Sequence, residues 1–144
     1  MSHRIKIEMG KPKIVASITS EKQILEAERS GADLIEIRLD FFKNINPAEI
    51  KSSLPLIATN RSKKEGGAYR GTEKERTDLL ISLIDRVNAV DIELNCRYLN
   101  NVISEAKKKG VTIIISYHNF QTTPPILKLR KILREELSLG DIAK

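Results

Sequence analysis

Short runs of aliphatic and β-branched residues alternate with longer polar segments along nearly the whole chain, and this alternation most strongly limits the possible fold. Each run has the length of a β-strand, and turn residues and a segment of helical length follow it. Strands that alternate with helices of about 10–15 residues form right-handed β-α-β units, in which the strands run parallel. The sequence therefore predicts an α/β fold built on a parallel sheet.

The element boundaries follow from capping and turn residues. Asn46 before Pro47 is typical of a helix start. Thr72 and Glu75 have the spacing of a capping box, and Gly110 has the position of a helix stop. The predicted strands are residues 14–19, 33–40, 56–60, 90–94, 111–117 and 141–144. The predicted helices are residues 20–30, a short segment from residue 47, and residues 72–86, 98–109 and 124–139.

Two architectures contain such a parallel sheet: an open doubly wound sheet and a closed eight-stranded barrel. An open sheet that binds a dinucleotide carries a glycine fingerprint after its first strand, but the segment SITSEKQ at residues 17–23 contains no glycine. Polar residues also recur inside the predicted strands, as they do where barrel strands point into a lumen. We therefore expect a single domain, residues 1–144, that forms about the first five to six units of a (β/α)8 TIM barrel.

Composition narrows the function classes. The chain is 40% hydrophobic and 31% charged, which is enough for a globular core, and no apolar run reaches the roughly 20 residues that cross a bilayer. The net charge is +6, but the basic residues are interleaved with acidic ones. With no Trp, the chain has few aromatic side chains on which nucleic-acid bases could stack. We expect no nucleic-acid or membrane partner, and a positive field that suits a small anionic substrate. One cysteine and an N-terminus without a long apolar stretch predict a cytoplasmic protein.

The second predicted strand has one charged face. Glu36, Arg38 and Asp40 alternate with apolar residues, so a period of two places all three on one side. Helices cover the outside of a barrel, and the charged face therefore points into the lumen, where ions must be paired or bind a ligand. The spacing leaves two interpretations open: a ligand site, or a structural ion pair between Glu36 and Arg38.

Two further groups of candidates follow later strands. Arg61 and Glu65 belong to the loop RSKKEGG, residues 61–67, where adjacent glycines let the backbone fold over a pocket, although an ordinary charged turn explains the same residues. His118 follows the fifth strand, at the end where barrels carry their chemistry, and a histidine there can act as a general base. A histidine that only caps the strand is the alternative interpretation.

Lys144 shares the face of the last predicted strand with Ile142. Apolar neighbours would desolvate its amine and thereby disfavour the charged ammonium form. The neutral amine is a nucleophile that can form an imine with a carbonyl substrate. Most lysines are merely solvated, so this interpretation depends on the neighbouring residues. Two histidines and one cysteine provide no metal-ligand spacing, and no metal is expected.

Six ordered segments at the predicted strand ends resemble the type I 3-dehydroquinate dehydratases, which are (β/α)8-barrel enzymes of the shikimate pathway. The segments are VASIT at 15–19, EIRLD at 36–40, RSKKEGG at 61–67, DIEL at 91–94, SYHNF at 116–120 and GDIAK at 140–144. Several motifs in one order are more specific than any single motif. The resemblance covers nearly the whole chain.

The resemblance implies a site and a mechanism. It implies that Lys144 forms a Schiff base with 3-dehydroquinate, that His118 transfers protons, and that Glu65 orients His118. The implied substrate-binding residues are Ser17, Glu36, Arg38 and Arg61. It further implies a syn elimination of water that gives 3-dehydroshikimate without a metal or an organic cofactor, in an enzyme that forms a homodimer.

The chain departs from the family pattern in two respects. Asn119 stands where aspartate is common, and we expect this to change local hydrogen bonding and little else. Family members are also considerably longer, so we expect this sequence to be the N-terminal part of a longer enzyme whose later residues bind the substrate carboxylate. A class I aldolase-like enzyme, which also uses a barrel lysine, and a non-catalytic half-barrel are the alternative interpretations.

Overall fold

The structure, a computed structural model, describes residue 7 and residues 10–144. Strand-like and helix-like segments alternate through the described residues, as the sequence predicts. The strands are β1 (Val15–Ile18), β2 (Leu34–Arg38), β3 (Leu56–Thr59), β4 (Ala89–Glu93), β5 (Thr112–Ser116) and β6 (Ile142–Ala143). The α-helices are α1 (Ile24–Arg29), α2 (Glu73–Ser82), α3 (Leu99–Lys109) and α4 (Ile126–Leu139).

The six strands form one parallel sheet whose spatial order is the order of the chain, from β1 to β6. A doubly wound sheet reverses its strand order at a switch point, and the described sheet has no such reversal. Successive right-handed crossovers without a reversal place the helices on one face of the sheet. The architecture is α/β, that of a partial (β/α)8 barrel, which confirms the predicted fold class.

The larger hydrophobic core lies between the sheet and the helices. Ile35 and Ile37 of β2, Ile92 of β4 and Ile115 of β5 are fully buried in it, together with helix residues such as Val102. Aliphatic side chains on this face explain why the strands alternate between apolar and polar residues. None of the helices in the described part of the chain is long and apolar enough to span a bilayer.

The other face of the sheet carries three layers of side chains, because residues two apart on a strand share a face. The first, the apolar layer, consists of Leu34, Ile57, Ala89, Ile114 and Ile142. Two residues further along each strand is the middle layer, which consists of Ser17, Glu36, Thr59, Asp91, Ser116 and Lys144. Two residues further again is the rim layer, which consists of Arg38, Arg61, Glu93 and His118. The carboxyl ends of the strands thus change from apolar to charged.

The capping predictions are confirmed at two helix starts. The Thr72 hydroxyl accepts a hydrogen bond from the Glu75 amide, and the Glu75 carboxylate accepts one from the Thr72 amide at 2.7 Å. Asn46 accepts a hydrogen bond from the Ala48 amide at 3.1 Å, but the helix predicted from Pro47 is only a 3-10 turn, Pro47–Glu49.

Two predicted elements end earlier than expected. The helix predicted over residues 72–86 is α-helical only to Ser82 and ends in a 3-10 turn, Ile84–Arg86, a common way to satisfy the last carbonyl groups of a helix. The strand predicted over residues 33–40 ends at Arg38, and a 3-10 turn follows at Leu39–Phe41. Asp40 is therefore in a turn and not in the strand.

Candidate active site

Lys144 projects into the middle layer, where two carboxylates face its amine. Its Nζ lies 2.9 Å from Oδ2 of Asp91 and 3.4 Å from Oε1 of Glu36. The Lys144 side chain is 46% exposed, whereas that of Asp91 is completely buried. The expectation that apolar neighbours surround this amine is therefore wrong. Ile142 lies one layer below, and side chains from β2 and β4 reach the amine instead.

Glu36 is the centre of a small hydrogen-bond cluster at β1, β2 and β3. Its two carboxylate oxygens accept hydrogen bonds from the Ser17 hydroxyl at 2.5 Å and the Thr59 hydroxyl at 2.8 Å. Burial acts to raise the pKa of Glu36, but the Ser17 hydrogen bond, the Lys144 charge and the Thr59 hydrogen bond together hold that pKa below its usual value. Glu36 is therefore an anion beside the lysine at neutral pH.

Arg38 pairs with Asp40 and not with Glu36, so the structural ion pair considered for Glu36 and Arg38 is absent from the described residues. Nε and Nη2 of Arg38 donate to the two oxygens of Asp40 at 2.9 Å and 2.8 Å. Asp40 also accepts a hydrogen bond from the Ala68 amide at 3.0 Å. Burial acts to raise the pKa of Asp40, but these hydrogen bonds and the Arg38 charge bring it below its usual value. The turn after β2 makes this pairing possible.

Arg61 is buried and its guanidinium is engaged by three other side chains. Nη2 donates to Oδ1 of Asp91 at 2.7 Å, and Nη1 donates to the Ser116 hydroxyl at 2.7 Å. Nη1 also lies 3.3 Å from Oε1 of Glu93. The side chain is 5% exposed, so Arg61 is anchored in the lumen and does not extend freely from a surface loop.

Glu65 and His118 form a pair at the rim of the sheet. The loop after β3 makes one 3-10 turn, Lys63–Glu65, which Gly66 closes with a φ of +82°. Oε2 of Glu65 accepts the His118 amide at 2.9 Å and lies 3.0 Å from Nδ1 of the imidazole. When Nδ1 donates to this carboxylate, Nε2 of the neutral ring is an acceptor that can take a proton.

The lysine and the histidine follow neighbouring strands. The Tyr117 amide donates to the Lys144 carbonyl at 3.0 Å, which places Lys144 beside Ser116. His118 is two residues beyond Ser116, which corresponds to about 6–7 Å along the strand. Ser17, Glu36 and Lys144 line one cavity of about 500 Å³. Glu65 and His118 line a different one of about 600 Å³. The structure thus places amine and imidazole on adjacent strands but at separate cavities.

The sequence interpretation missed several polar members of the layers. Asp91, Thr59 and Ser116 belong to the middle layer and contact one another or Glu36, and Glu93 belongs to the rim layer. A signal was available for β4, because Asp91 and Glu93 are charged and alternate with apolar residues, as do Glu36 and Arg38. Applied to β4, the argument used for β2 would have selected both carboxylates.

Within residue 7 and residues 10–144, no group of three or more His, Cys, Asp and Glu side chains is arranged to hold a metal ion. Cys96 is buried, and this burial raises the pKa of its thiol to about 12, so the thiolate is scarce at neutral pH.

Comparison with known proteins gives consistent results. Residues 14–144 match the family model described as type I 3-dehydroquinase. A 3-dehydroquinate dehydratase from Methanobrevibacter smithii is 43% identical over 119 residues, which cover 79% of this chain and 52% of the relative. One from Methanosarcina barkeri is 38% identical over 162 residues, which cover 100% of this chain and 67% of the relative. The chain thus spans about half to two thirds of these relatives.

Solved structures agree with the sequence relatives. A type I 3-dehydroquinate dehydratase from Clostridium difficile superposes with a TM-score of 0.84 at 30% identity, over 93% of this chain and 62% of that chain. A 3-dehydroquinate dehydratase from Aquifex aeolicus gives a TM-score of 0.78 at 33% identity, over 92% of this chain and 65% of that chain. The fold similarity extends over nearly all of the described residues.

Proposed function

The chain belongs to the type I 3-dehydroquinase family, and on that premise we propose that it dehydrates 3-dehydroquinate to 3-dehydroshikimate through an imine at Lys144. One observation carries the proposal. The Lys144 amine lies between two carboxylates in the lumen, and the neighbouring strand β5 is followed by an imidazole whose Nδ1 lies 3.0 Å from the buried Glu65 carboxylate. An amine nucleophile and a positioned proton carrier are the two groups that this chemistry needs.

Imine formation is the first step. The unprotonated Lys144 amine attacks the C3 ketone, and the resulting carbinolamine takes up one proton and loses water to give an iminium ion. The carbon–nitrogen double bond carries a positive charge and withdraws electrons from C2, which acidifies the C2 proton. The carboxylates of Glu36 and Asp91 face this nitrogen and stabilise its charge.

Elimination follows at the neighbouring carbons. Nε2 of His118 removes the C2 proton, and the electron pair moves into a neutral enamine. His118 then donates this proton to the C1 hydroxyl as the carbon–oxygen bond breaks, so water leaves on the face from which the proton came. Hydrolysis of the conjugated iminium consumes one water, returns the Lys144 amine and releases 3-dehydroshikimate. The overall change is the loss of one water.

We assign the remaining implied residues to the proposed substrate site. Ser17 and Glu36 line the same cavity as Lys144, and Arg38 belongs to the rim layer with a side chain that is 23% exposed. Arg61 can contribute only those N–H groups that Asp91, Ser116 and Glu93 do not use. We assign the substrate hydroxyl groups to this cluster.

The test is reductive trapping. The protein is incubated with 3-dehydroquinate and borohydride, and the modified peptide is identified by mass spectrometry. We expect one reduced adduct on Lys144, growth of conjugated-enone absorbance without borohydride, and neither in K144A. K131A is the matched control, because Lys131 lies on α4 and its side chain is 77% exposed. An unmodified Lys144 in a protein that turns over substrate would refute the imine route.

A trapped adduct without enone formation would favour the aldolase-like alternative, because that class also forms the imine but breaks a carbon–carbon bond. Retro-aldol products from a panel of hydroxyketones would then identify the reaction.

We also propose a cytoplasmic homodimer, in agreement with the family that the chain resembles. Light scattering on a size-exclusion column measures the molar mass directly. A mass of two chains is the expected result, and a mass of one chain at micromolar concentration would contradict the dimer.

A further inference from the structure

Asp91 is the best-anchored carboxylate of the middle layer. Its side chain is completely buried in β4, and its two oxygens have different partners. Oδ1 accepts hydrogen bonds from Nη2 of Arg61 and from the Ser116 hydroxyl, both at 2.7 Å. Because these donors come from the ends of β3 and β5, they hold the carboxylate plane from both sides. Oδ2 is thereby directed at the Lys144 amine, 2.9 Å away.

Asp91 and Glu36 differ in their relation to the lysine. Oε1 of Glu36 is 3.4 Å from Nζ, and it also accepts the Thr59 hydroxyl. Asp91 is closer to Nζ and more deeply buried, and its Oδ2 contacts the amine without sharing that oxygen with the donors that bind Oδ1. Glu36 lines the cavity with Lys144, whereas Asp91 is not among its lining residues. Glu36 thus suits a contact with substrate, and Asp91 suits a contact with the lysine alone.

Asp91 remains ionised in this environment. Burial acts to raise its pKa, but the charges of Arg61 and Lys144, together with hydrogen bonds from Lys144 and Ser116, bring the pKa below its usual value. A buried carboxylate whose charge is preserved by a neighbouring arginine provides a fixed negative charge at one point. This carboxylate lies 2.9 Å from the Lys144 nitrogen, which is positive in both the ammonium and the iminium form.

We propose that Asp91 is a positioning residue that holds the Lys144 amine in the lumen and is the fixed counter-ion of its iminium form. Arg61 and Ser116 act through Asp91, because they determine which of its oxygens faces the lysine. This inference rests on the proposed imine chemistry. It adds a residue to which the sequence resemblance assigned no role, and it gives the contact between Arg61 of the rim layer and Asp91 a function.

The first experiment needs no substrate. Acetic anhydride acylates a free amine, so the rate of Lys144 labelling over a series of pH values, read from its peptide by mass spectrometry, reports how firmly its surroundings hold the amine. In D91N we expect Lys144 to be labelled several-fold faster than in the wild type at the same pH, because a neutral amide no longer holds the amine in an ion pair.

E93Q is the matched control. Glu93 is on the same strand, is as buried as Asp91 and also pairs with Arg61, but it faces Arg76 and not Lys144. A purely structural loss of one Arg61 partner would affect both variants equally. We expect the labelling rate to rise in D91N alone. Equal increases in both variants, or none in D91N, would overturn the proposal.

Steady-state kinetics with 3-dehydroquinate form the second experiment. We expect kcat of D91N to fall about 10- to 100-fold with little change in KM, because Asp91 contacts the lysine and not the substrate. D91E retains the charge but displaces it, so its labelling rate should stay close to that of the wild type while kcat falls. A rise in KM at constant kcat would contradict a positioning role.

The two experiments separate this inference from the proposed function. If the wild-type protein does not convert 3-dehydroquinate, the dehydratase proposal fails, yet the labelling rates still test the contact between Asp91 and Lys144. If D91N does not fold, S116A takes its place, because it removes one anchor of Asp91 and no charge. We then expect kcat to fall several-fold at constant KM, and an unchanged kcat would overturn the proposal.

Discussion

At the residue scale, two arginines of the same layer have different surroundings. Arg61 is 5% exposed and is enclosed by Asp91, Glu93 and Ser116. Arg38 is 23% exposed, pairs with Asp40 and lies over the Phe41 ring at 5.0 Å. The family resemblance implies the same role for both arginines, but their burial predicts that their substitution will affect different properties.

Substitution of Arg61 is expected to act first on stability. R61M would leave the buried carboxylates of Asp91 and Glu93 without a common partner, and breaking a buried charge pair costs about 3–5 kcal/mol. The free energy of unfolding, measured by urea denaturation at pH 7, should fall by this amount. A loss below about 1 kcal/mol would show that Arg61 is not a structural centre of the layer.

R38M provides the comparison. Arg38 is partly exposed, so its removal should reduce the free energy of unfolding less than R61M does. If Arg38 contacts the substrate, as proposed, KM should rise several-fold in this variant. An unchanged KM would remove Arg38 from the proposed substrate site.

At the scale of elements, the loop between β3 and α2 determines where Glu65 lies. Gly67 packs so closely on the Arg61 backbone that a Cβ atom there would lie 2.0 Å from the Arg61 carbonyl oxygen. The Gly67 amide also donates to the Ser62 carbonyl at 2.8 Å and closes the loop. A larger residue must therefore displace the turn that carries Glu65.

G67A is expected to impair catalysis through this displacement. Because Glu65 holds the His118 ring, a shift of the turn by about 1 Å should lower kcat 10- to 100-fold. Kinetics with 3-dehydroquinate measure this effect. A G67A protein with the wild-type kcat would show that the turn does not determine the orientation of His118.

T72A is the control for the same loop. Thr72 caps α2 only five residues beyond Gly67, and in the described part of the chain it forms no hydrogen bond with Glu65 or His118. Loss of this cap should lower the free energy of unfolding by about 1 kcal/mol. The kcat value should stay close to that of the wild type, which separates loop geometry from general instability.

The sequence was sufficient for features that depend on local spacing and insufficient for those that depend on other strands. The capping box at Thr72 and the apolar face of β2 follow from periods within one segment, and both are present. The pairing of Arg38 with Asp40 depends on where β2 ends, and neighbouring loops decide this. The partners of Lys144 come from β2 and β4, so no pattern within residues 141–144 could reveal them.

At the scale of the whole molecule, buried carboxylates link stability to pH. Glu36, Asp40 and Asp91 all have a lowered pKa in the folded protein, because hydrogen bonds and nearby cations outweigh burial. A carboxyl group whose pKa is depressed by folding contributes stability above its unfolded pKa of about 4. This contribution is lost as the pH falls through the folded pKa. We therefore expect the free energy of unfolding to decrease below about pH 4.

D40N tests this linkage outside the proposed catalytic groups. At pH 7 the variant should be less stable than the wild type by about 2 kcal/mol, because Arg38 and two backbone amides lose a charged acceptor. The difference should shrink as the pH falls, since wild-type Asp40 then becomes protonated and neutral as well. Urea denaturation at pH 7, 5 and about 3 measures it.

D78N is the matched control for this pH dependence. Asp78 forms an exposed pair with Lys74 on α2, and such pairs contribute little to stability. The difference between D78N and the wild type should therefore be small at every pH. A D40N difference that stays constant with pH would contradict the linkage.

Side chains two residues apart on one strand occupy successive layers of the lumen, so the register of each strand determines which side chain lies in which layer. Insertion of one residue into β4 before Asp91 would turn its carboxylate towards the helices and bring an isoleucine into the lumen. A slip of β4 by two residues would keep its apolar and polar faces but would move Glu93 into the middle layer, where Asp91 lies. A substitution can therefore change one lumen side chain at a time, whereas an insertion or a deletion in a strand moves every later side chain of that strand out of its layer.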